Sequence, residues 1–305
     1  MRTSQARNSG PLRCMAVLVL VSAAGLASGK SIAPAPDASA QPLRAKYTQL
    51  AKQLRSNQFQ RPLYLKSAES PHDLKGEIYA EVNYPFAAVG TALNDPAHWC
   101  DVLILHLNVK YCHAASTKAG TVLSVDLGRK TFQPLADAYR VEFNYKGVIT
   151  RPDYFAVELN AKNGPLSTHD YHIWIEATSV ADGRSFLHVT FAYAFGLSGR
   201  LAMHGYLATI GSDKVGFTIT GKRPNGLPAF IQGVRGVVER NTMRYYLAID
   251  AYLAALTAPR KDQVEKRMQY WYNATDRYAR QLHEVKRDEY LEMKRKEYRR
   301  QQLGR

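Results

Sequence analysis

The stretch GVRGVVERNTMRYYLAIDAYLAAL, Gly233 to Leu256, decides the fold. Within it Val234, Val238, Asn241, Tyr245, Ala248, Tyr252 and Leu256 recur at three- and four-residue steps. That spacing lines them along one side of a helix about 36 Å long at 1.5 Å rise per residue. The stripe is expected to face inward, with Arg235, Glu239, Arg240, Arg244 and Asp250 off it. Arg235 and Glu239 stand four apart, where opposite charges on a helix surface attract weakly. Many strand-like segments precede this helix, and a long amphipathic helix closing a curved sheet buries their apolar face. The expected fold class is α+β: a curved antiparallel sheet wrapped around a long C-terminal helix, followed by a charged helical tail.

Working back from the helix, Tyr139, Val141, Phe143 and Tyr145 alternate with Arg140, Glu142, Asn144 and Lys146, the signature of a strand with one face buried and one wet. Further strands are predicted at Gly76 to Tyr84, Thr121 to Leu127, Tyr154 to Asn160, Tyr171 to Thr178, Ser185 to Phe195 and Lys214 to Thr220, with Asp182-Gly183 as a hairpin turn. Phe86 to Leu93 reads as a short helix. Asn94 and Asp95 before Pro96 read as a cap and a proline at the first helical position, so a second helix starts there. Its far end is ambiguous, because Leu103, Leu105, Leu107, Val109 and Tyr111 alternate as strand residues do. Leu201 to Ile210 is a short helical interruption, and Lys222 to Pro228 is a loop that delivers the chain to the long helix.

The ends carry the address. Arg2, Arg7 and Arg13 precede the apolar run Met15 to Leu26, which closes on Ala27-Ser28-Gly29. This reads as a secretory signal peptide, too short to span a bilayer at about 20 residues. Residues 30–62, rich in Ala, Pro, Ser and Gln, read as a flexible linker in which only Tyr47 to Leu54 suits a helix. The ordered domain is expected at 63–258. Beyond Pro259, residues 259–305 form a basic tail with a helical stripe (Val264, Met268, Trp271, Tyr278, Leu282, Val285) and an almost wholly polar last part from Glu292. That tail reads as an appendage that frays at its end and whose removal leaves the domain folded.

The 305 residues, 46% hydrophobic, suffice for a sizeable core, and the formal net charge of +15 suits an acidic partner. Export removes the chain from most nucleic acid, which leaves an anionic membrane surface, met through the basic tail, as the expected charged partner. In an oxidising compartment Cys100 and Cys112 are expected to form a disulfide. One unbroken helix would hold them roughly 18 Å apart, so the chain must turn back between them. Cys100, His106, Cys112 and His113 match no familiar zinc spacing, and no metal site is expected.

The order strand, two short helices, a run of strands, one long helix resembles the START-like (helix-grip, SRPBCC) superfamily over roughly Leu74 to Leu256. Local features that carry the resemblance are Tyr84-Pro85-Phe86 at the first helix, Asp95-Pro96-Ala97-His98-Trp99 at the second, and Gly233-Val234-Arg235-Gly236 at the last. The resemblance implies an apolar tunnel between sheet and helix and a lipid or other hydrophobic molecule within it.

Other motifs dissolve. Gly216 to Lys222 nearly spells a phosphate loop, but Arg223 stands where Ser or Thr should hold the metal, and Phe217 to Thr220 alternate as strand residues. No His-Glu-x-x-His, Gly-x-Ser-x-Gly or Cys-x-x-Cys occurs. Asp170, His172, Glu176 and His188 could supply acid/base groups, yet read better as the wet face of a sheet, so no catalytic residue and no cofactor is assigned. Asn241 lies on the inward stripe, where an unpaired amide costs on the order of 1–3 kcal/mol, so the protein or a ligand must satisfy it. The candidate ligand-binding set is Phe143, Tyr145, Trp174, Phe191, Tyr193, Phe217, Asn241 and Tyr245. The functional expectation is a periplasmic carrier of a hydrophobic molecule, with a cyclase- or hydrolase-type enzyme or a membrane-surface interaction protein as the alternatives.

Overall fold

The computed structural model describes residues 39–196 and 213–304. The expected signal peptide and the helix expected at Leu201 to Ile210 lie outside them. Eight strands form one curved antiparallel sheet: β1 Leu63–Glu69, β2 Asp73–Val82, β3 Val109–Thr117, β4 Gly120–Leu127, β5 Tyr139–Arg151, β6 Tyr154–Asn163, β7 Thr168–Ser179 and β8 Ser185–Phe195, in the order β1-β2-β8-β7-β6-β5-β4-β3. Asp182 and Gly183 both have positive φ, the turn that matches strand twist in a two-residue hairpin, and they join β7 to β8 as expected. A small hairpin, β9 Ile219–Lys222 with β10 Pro228–Phe230, replaces the strand expected at Lys214 to Thr220. Its turn is the Pro224-Asn225-Gly226 loop.

Of the expected helices, α3 (Phe86–Leu93) and α4 (Pro96–Leu103) stand where the sequence puts them, and the Asp95 side chain accepts from the Ala97 amide at the start of α4. The long helix, α5 (Gly233–Ala254), lies against β1, β2 and β8 on the inner face of the sheet. Contact is close at Gly76 of β2, where an added Cβ would sit 2.1 Å from Thr242 Oγ1. The arrangement is the helix grip that the resemblance implied.

Three expectations are corrected. The first strand is β1, not the segment from Gly76; Lys66, Ser67 and Glu69 hide its alternation because it is an edge strand. The segment 40–55 is not a flexible linker. It forms α1 (Ala40–Gln49) and α2 (Ala51–Arg55), and Leu43, Leu54 and Leu50 between the two helices are buried with Tyr79, Tyr154, Ala156, Trp174 and Phe186 on the outer face of the sheet. Nor is the C-terminal segment an appendage: α6 (Arg260–Asp276), α7 (Ala279–Leu282) and α8 (Arg287–Leu303) put Met268, Trp271, Leu282, Tyr290, Leu291 and Met293 into the main core. The polar stretch from Glu292 stays helical because its Lys294, Glu297 and Gln301 are buried among partners.

Covering by the segments around it also reverses the expected outer side of the long helix. Glu239, Arg240 and Arg244 are at most 2% exposed. Glu239 accepts from the amides of Phe217 and Thr218 and from the hydroxyls of Thr218 and Ser67, so its charge is fully solvated by protein donors.

Between α4 and β3 the chain does turn back. Residues 104–108 reverse it, Cys112 comes beside Cys100 with Cα atoms 5.1 Å apart, and the two form a disulfide. Both sulfurs are thereby consumed, so the four-residue zinc set Cys100, His106, Cys112, His113 does not assemble.

Candidate functional site

Strand parity selects which side chains look at the long helix. Phe143 on β5, Tyr171 on β7, and Phe191 and Tyr193 on β8 share the inner face, and Tyr245 meets them from α5. The register of β7 against β8 shifts between His169 and His172, where Asp170 adopts positive φ. This bulge sets Tyr171 flat against Tyr193, ring centroids 5.3 Å apart. From there the rings run on without a gap: Phe143 meets Tyr171 edge-on at 6.2 Å, Phe191 meets Tyr193 at 5.6 Å, and Tyr245 meets Phe191 at 5.0 Å. Beyond Tyr245 the chain of rings ends on His106, stacked at 4.7 Å.

His106 is the polar anomaly of this face. Its Nδ1 accepts from the Asn108 amide, and burial together with the positive charges of Arg244, Lys294 and Lys130 holds its pKa well below 6.5. The ring is therefore neutral at pH 7 with its proton on Nε2, and that buried donor has no hydrogen-bond partner among the described residues. Tyr245, stacked on it, keeps part of its surface accessible although burial pushes its hydroxyl pKa well above 10.

A cationic group borders this end. Glu284 takes three cations, Lys130 Nζ at 2.6 Å, Arg244 Nη2 at 2.8 Å and Lys214 Nζ at 3.2 Å. Burial and Arg244 push Lys130 down to about 8. The arrangement offers ring faces, one neutral N–H donor and a net positive border. Among the described residues it presents no nucleophile paired with a base.

Of the sequence-derived set, Phe143, Phe191, Tyr193 and Tyr245 come together. The other four do not join them. Trp174 falls on the opposite parity of β7 and lies on the outer face with Tyr79 and Phe186. Phe217 packs elsewhere in the same core, its ring 5.8 Å from that of Phe59 and 5.6 Å from that of Tyr278. Tyr145 is on the right face but reaches to the end of α3, donating to the Asn94 carbonyl at 2.9 Å. Asn241 is half-buried, and its Oδ1 accepts from Arg244 Nη1 at 3.4 Å. Two members were missed, Tyr171 and His106; the alternation of Tyr171 with Ile173 was a usable signal, whereas nothing in the turn around His106 announces it.

The acid/base candidates on the outer face have a structural role. His188 lies between Glu176 Oε1 (2.7 Å from Nδ1) and Glu77 Oε1 (3.1 Å from Nε2), stacked on Tyr79 at 4.1 Å, so both nitrogens donate and the ring is an imidazolium. Burial opposes that charge, but the two carboxylates outweigh it and raise the pKa. Burial likewise opposes both carboxylates, and His188 wins again, lowering both. This face is not wet as expected, because α1 and α2 cover part of it. His172 pairs with Glu158 at 2.9 Å, and Asp170 is an exposed partner of His169.

The stability that this trio contributes depends on pH. The raised histidine contributes fully below its unfolded value of about 6.5, and the contribution is lost as pH rises through the folded value. The lowered carboxylates contribute above about 4.3, and theirs is lost as pH falls through their folded values. His188→Gln is therefore expected to cost most between about pH 4.5 and 6.5, with the gap in melting temperature to the parent narrowing at alkaline pH. A gap constant from pH 5 to 9 would contradict the charged bridge.

No family model matches this sequence, and no curated protein matches it. Similar solved structures include a conserved protein from Geobacillus kaustophilus (14% identity over 59% of this chain and 95% of that one, TM-score 0.34), norcoclaurine synthase from Thalictrum flavum (11%, 49% and 82%, 0.32) and Ara h 8.0201 (12%, 63% and 99%, 0.34). Likenesses this distant carry no argument about function.

Proposed function

We propose that this protein is an exported carrier that holds a hydrophobic molecule with a polar end between the long helix and the sheet. The observation that carries this reading is the Nε2–H of His106, which has no acceptor among the described residues. A buried donor without an acceptor costs about 1–3 kcal/mol, and this one sits at the end of a continuous run of aromatic rings, beside the half-buried Tyr245 and a cationic border. An acceptor on a bound molecule removes that cost. Export is supported by the N-terminal sequence and by the disulfide, which suits an oxidising compartment. The net charge of +15 suits delivery at an anionic membrane, in which case vesicle binding weakens as salt rises.

The test is one variant read two ways. The neutral fluorophore N-phenyl-1-naphthylamine is expected to bind and to be displaced by oleate, a ligand with an acceptor head group. His106→Phe is expected to weaken oleate roughly tenfold, the worth of about 1.4 kcal/mol, while changing the melting temperature little, because the change removes the unsatisfied Nε2–H from the core but also the acceptor of the Asn108 amide. Unchanged oleate affinity beside a lowered melting temperature would retire His106 as a ligand contact. No binding of either molecule would remove the carrier reading altogether.

A further inference from the structure

A groove of about 470 Å³ lies away from the ring chain, along the free edge of β1. Five consecutive residues of that strand, Leu63 to Ser67, line it, with Phe59 and Ile219 among the other walls. Consecutive lining residues mean that the groove follows the backbone of the strand rather than one of its faces.

The register tells which backbone groups point into it. Leu63 opposes Ala80 and Glu69 opposes Leu74 across the β1–β2 pair. The Glu81 amide donates to the Pro62 carbonyl and the Ser70 amide to the Asp73 carbonyl, so the even-numbered residues of β1 bond to β2. The odd-numbered residues, Leu63, Leu65 and Ser67, turn their backbone groups outward. Two of those are taken: the Leu63 amide donates to the Arg61 carbonyl, and the Ser67 carbonyl accepts from Arg235 Nη2. Left without a partner among the described residues are the Leu63 carbonyl, the Leu65 amide and carbonyl, and the Ser67 amide.

We infer that the β1 groove binds an extended peptide segment as an added antiparallel strand, with apolar residues alternating with acidic ones. An antiparallel strand centred on Leu65 meets all four groups: its central residue exchanges two bonds with Leu65, the residue two positions later donates to Leu63, and the residue two positions earlier accepts from Ser67. In such a pairing the side chains opposite Leu63, Leu65 and Ser67 lie on the inner side with Phe59, which favours apolar residues there. The intervening side chains face Tyr64 and Lys66. Lys66 lies on this side, paired with Glu77 at 2.9 Å yet still 43% exposed, so acidic residues suit those positions; Arg235, the other basic residue of the lining, is held by the Ser67 carbonyl and hydroxyl on the inner side. A second copy of this chain, paired through its own β1 in the same register, would set Lys66 opposite Tyr64 and put the two Lys66 side chains diagonally beside each other on one face, a like-charge neighbour that disfavours it. An unblocked edge of this kind is a standing template for pairing.

The test is amide hydrogen exchange on the whole mature protein with the acetylated and amidated peptide Val-Glu-Val-Glu-Val at millimolar concentration. The amides of Leu65 and Ser67 are expected to exchange rapidly in the free protein and to slow at least tenfold with the peptide. Val-Lys-Val-Lys-Val, and the acidic peptide N-methylated at its third and fifth residues, are expected to leave them unchanged. Amides already slow in the free dilute protein, or not slowed by the acidic peptide, would overturn the inference. So would equal protection by the N-methylated peptide, which would make the groove a site for apolar molecules rather than strands. Protection that grows with protein concentration alone would assign the edge to a second copy.

Discussion

Deleting residues 259–305 is expected to abolish cooperative folding. Met268, Trp271, Leu282, Tyr290, Leu291 and Met293 of this segment are each at most 5% exposed and belong to the main core. Burying one such side chain contributes about 1.5–3 kcal/mol, so the six together contribute on the order of 10 kcal/mol, as much as the whole net stability of an ordinary domain. Polar ties add to this. Trp271 Nε1 donates to the Arg244 carbonyl of the long helix at 3.2 Å, and the Tyr290 hydroxyl donates to the Leu105 carbonyl at 3.0 Å. A thermal melt of the mature protein ending at residue 258, followed by near-ultraviolet circular dichroism, is expected to show no sigmoidal transition. A cooperative melt close to that of the full chain would return the segment to the status of an appendage.

Glu297→Ala is expected to be the most damaging single substitution outside the apolar core. The carboxylate stands between two fully buried lysines, Lys294 Nζ at 2.7 Å and Lys110 Nζ at 3.1 Å. Those lysines hold the turn that follows α4: Lys294 donates to the carbonyls of His106 and Val109, and Lys110 donates to those of Leu107 and Thr131. The turn is what carries Cys112 back to Cys100. Removing the carboxylate leaves two uncompensated buried cations, a change that typically costs about 3–5 kcal/mol. Urea unfolding is the measurement, with Arg295→Ala as the contrast. Arg295 pairs with Glu265 in solvent, and its loss is expected to cost under about 1 kcal/mol. Equal effects from the two variants would mean that the buried network contributes nothing beyond surface pairing.

These two predictions rest on contacts that were not legible in the sequence, and the reason is physical. Local pattern gave α3, β8 and the long helix at or near their ends and α4 at its start, because capping residues and alternation act over a few positions. What decides the burial of a charge acts over many. Glu239 is solvated by Ser67, Phe217 and Thr218, Arg244 by Glu284, and Lys110 by Glu297, partners that no helical period reveals. Face assignment failed at Trp174 for a related reason. Every position of β8 is buried, so the sheet has apolar residues on both sides, and alternation alone does not say which side meets the long helix. Once Phe191 is placed, the register of β7 puts Ile173 opposite it on the inner face and Trp174 on the outer. The candidate site was half legible for the same reason, with Phe143, Phe191, Tyr193 and Tyr245 found from alternation and His106 invisible in its turn.

The central claim, that a bound molecule satisfies His106, is tested most directly by the nitrogen-15 spectrum of the histidine side chains during titration with oleate. The account predicts a neutral His106 ring with its proton on Nε2 before addition, and a downfield shift of that proton on saturation while the His188 signals stay in place. Oleate that binds without moving the His106 resonance, or that does not bind at all, would contradict it.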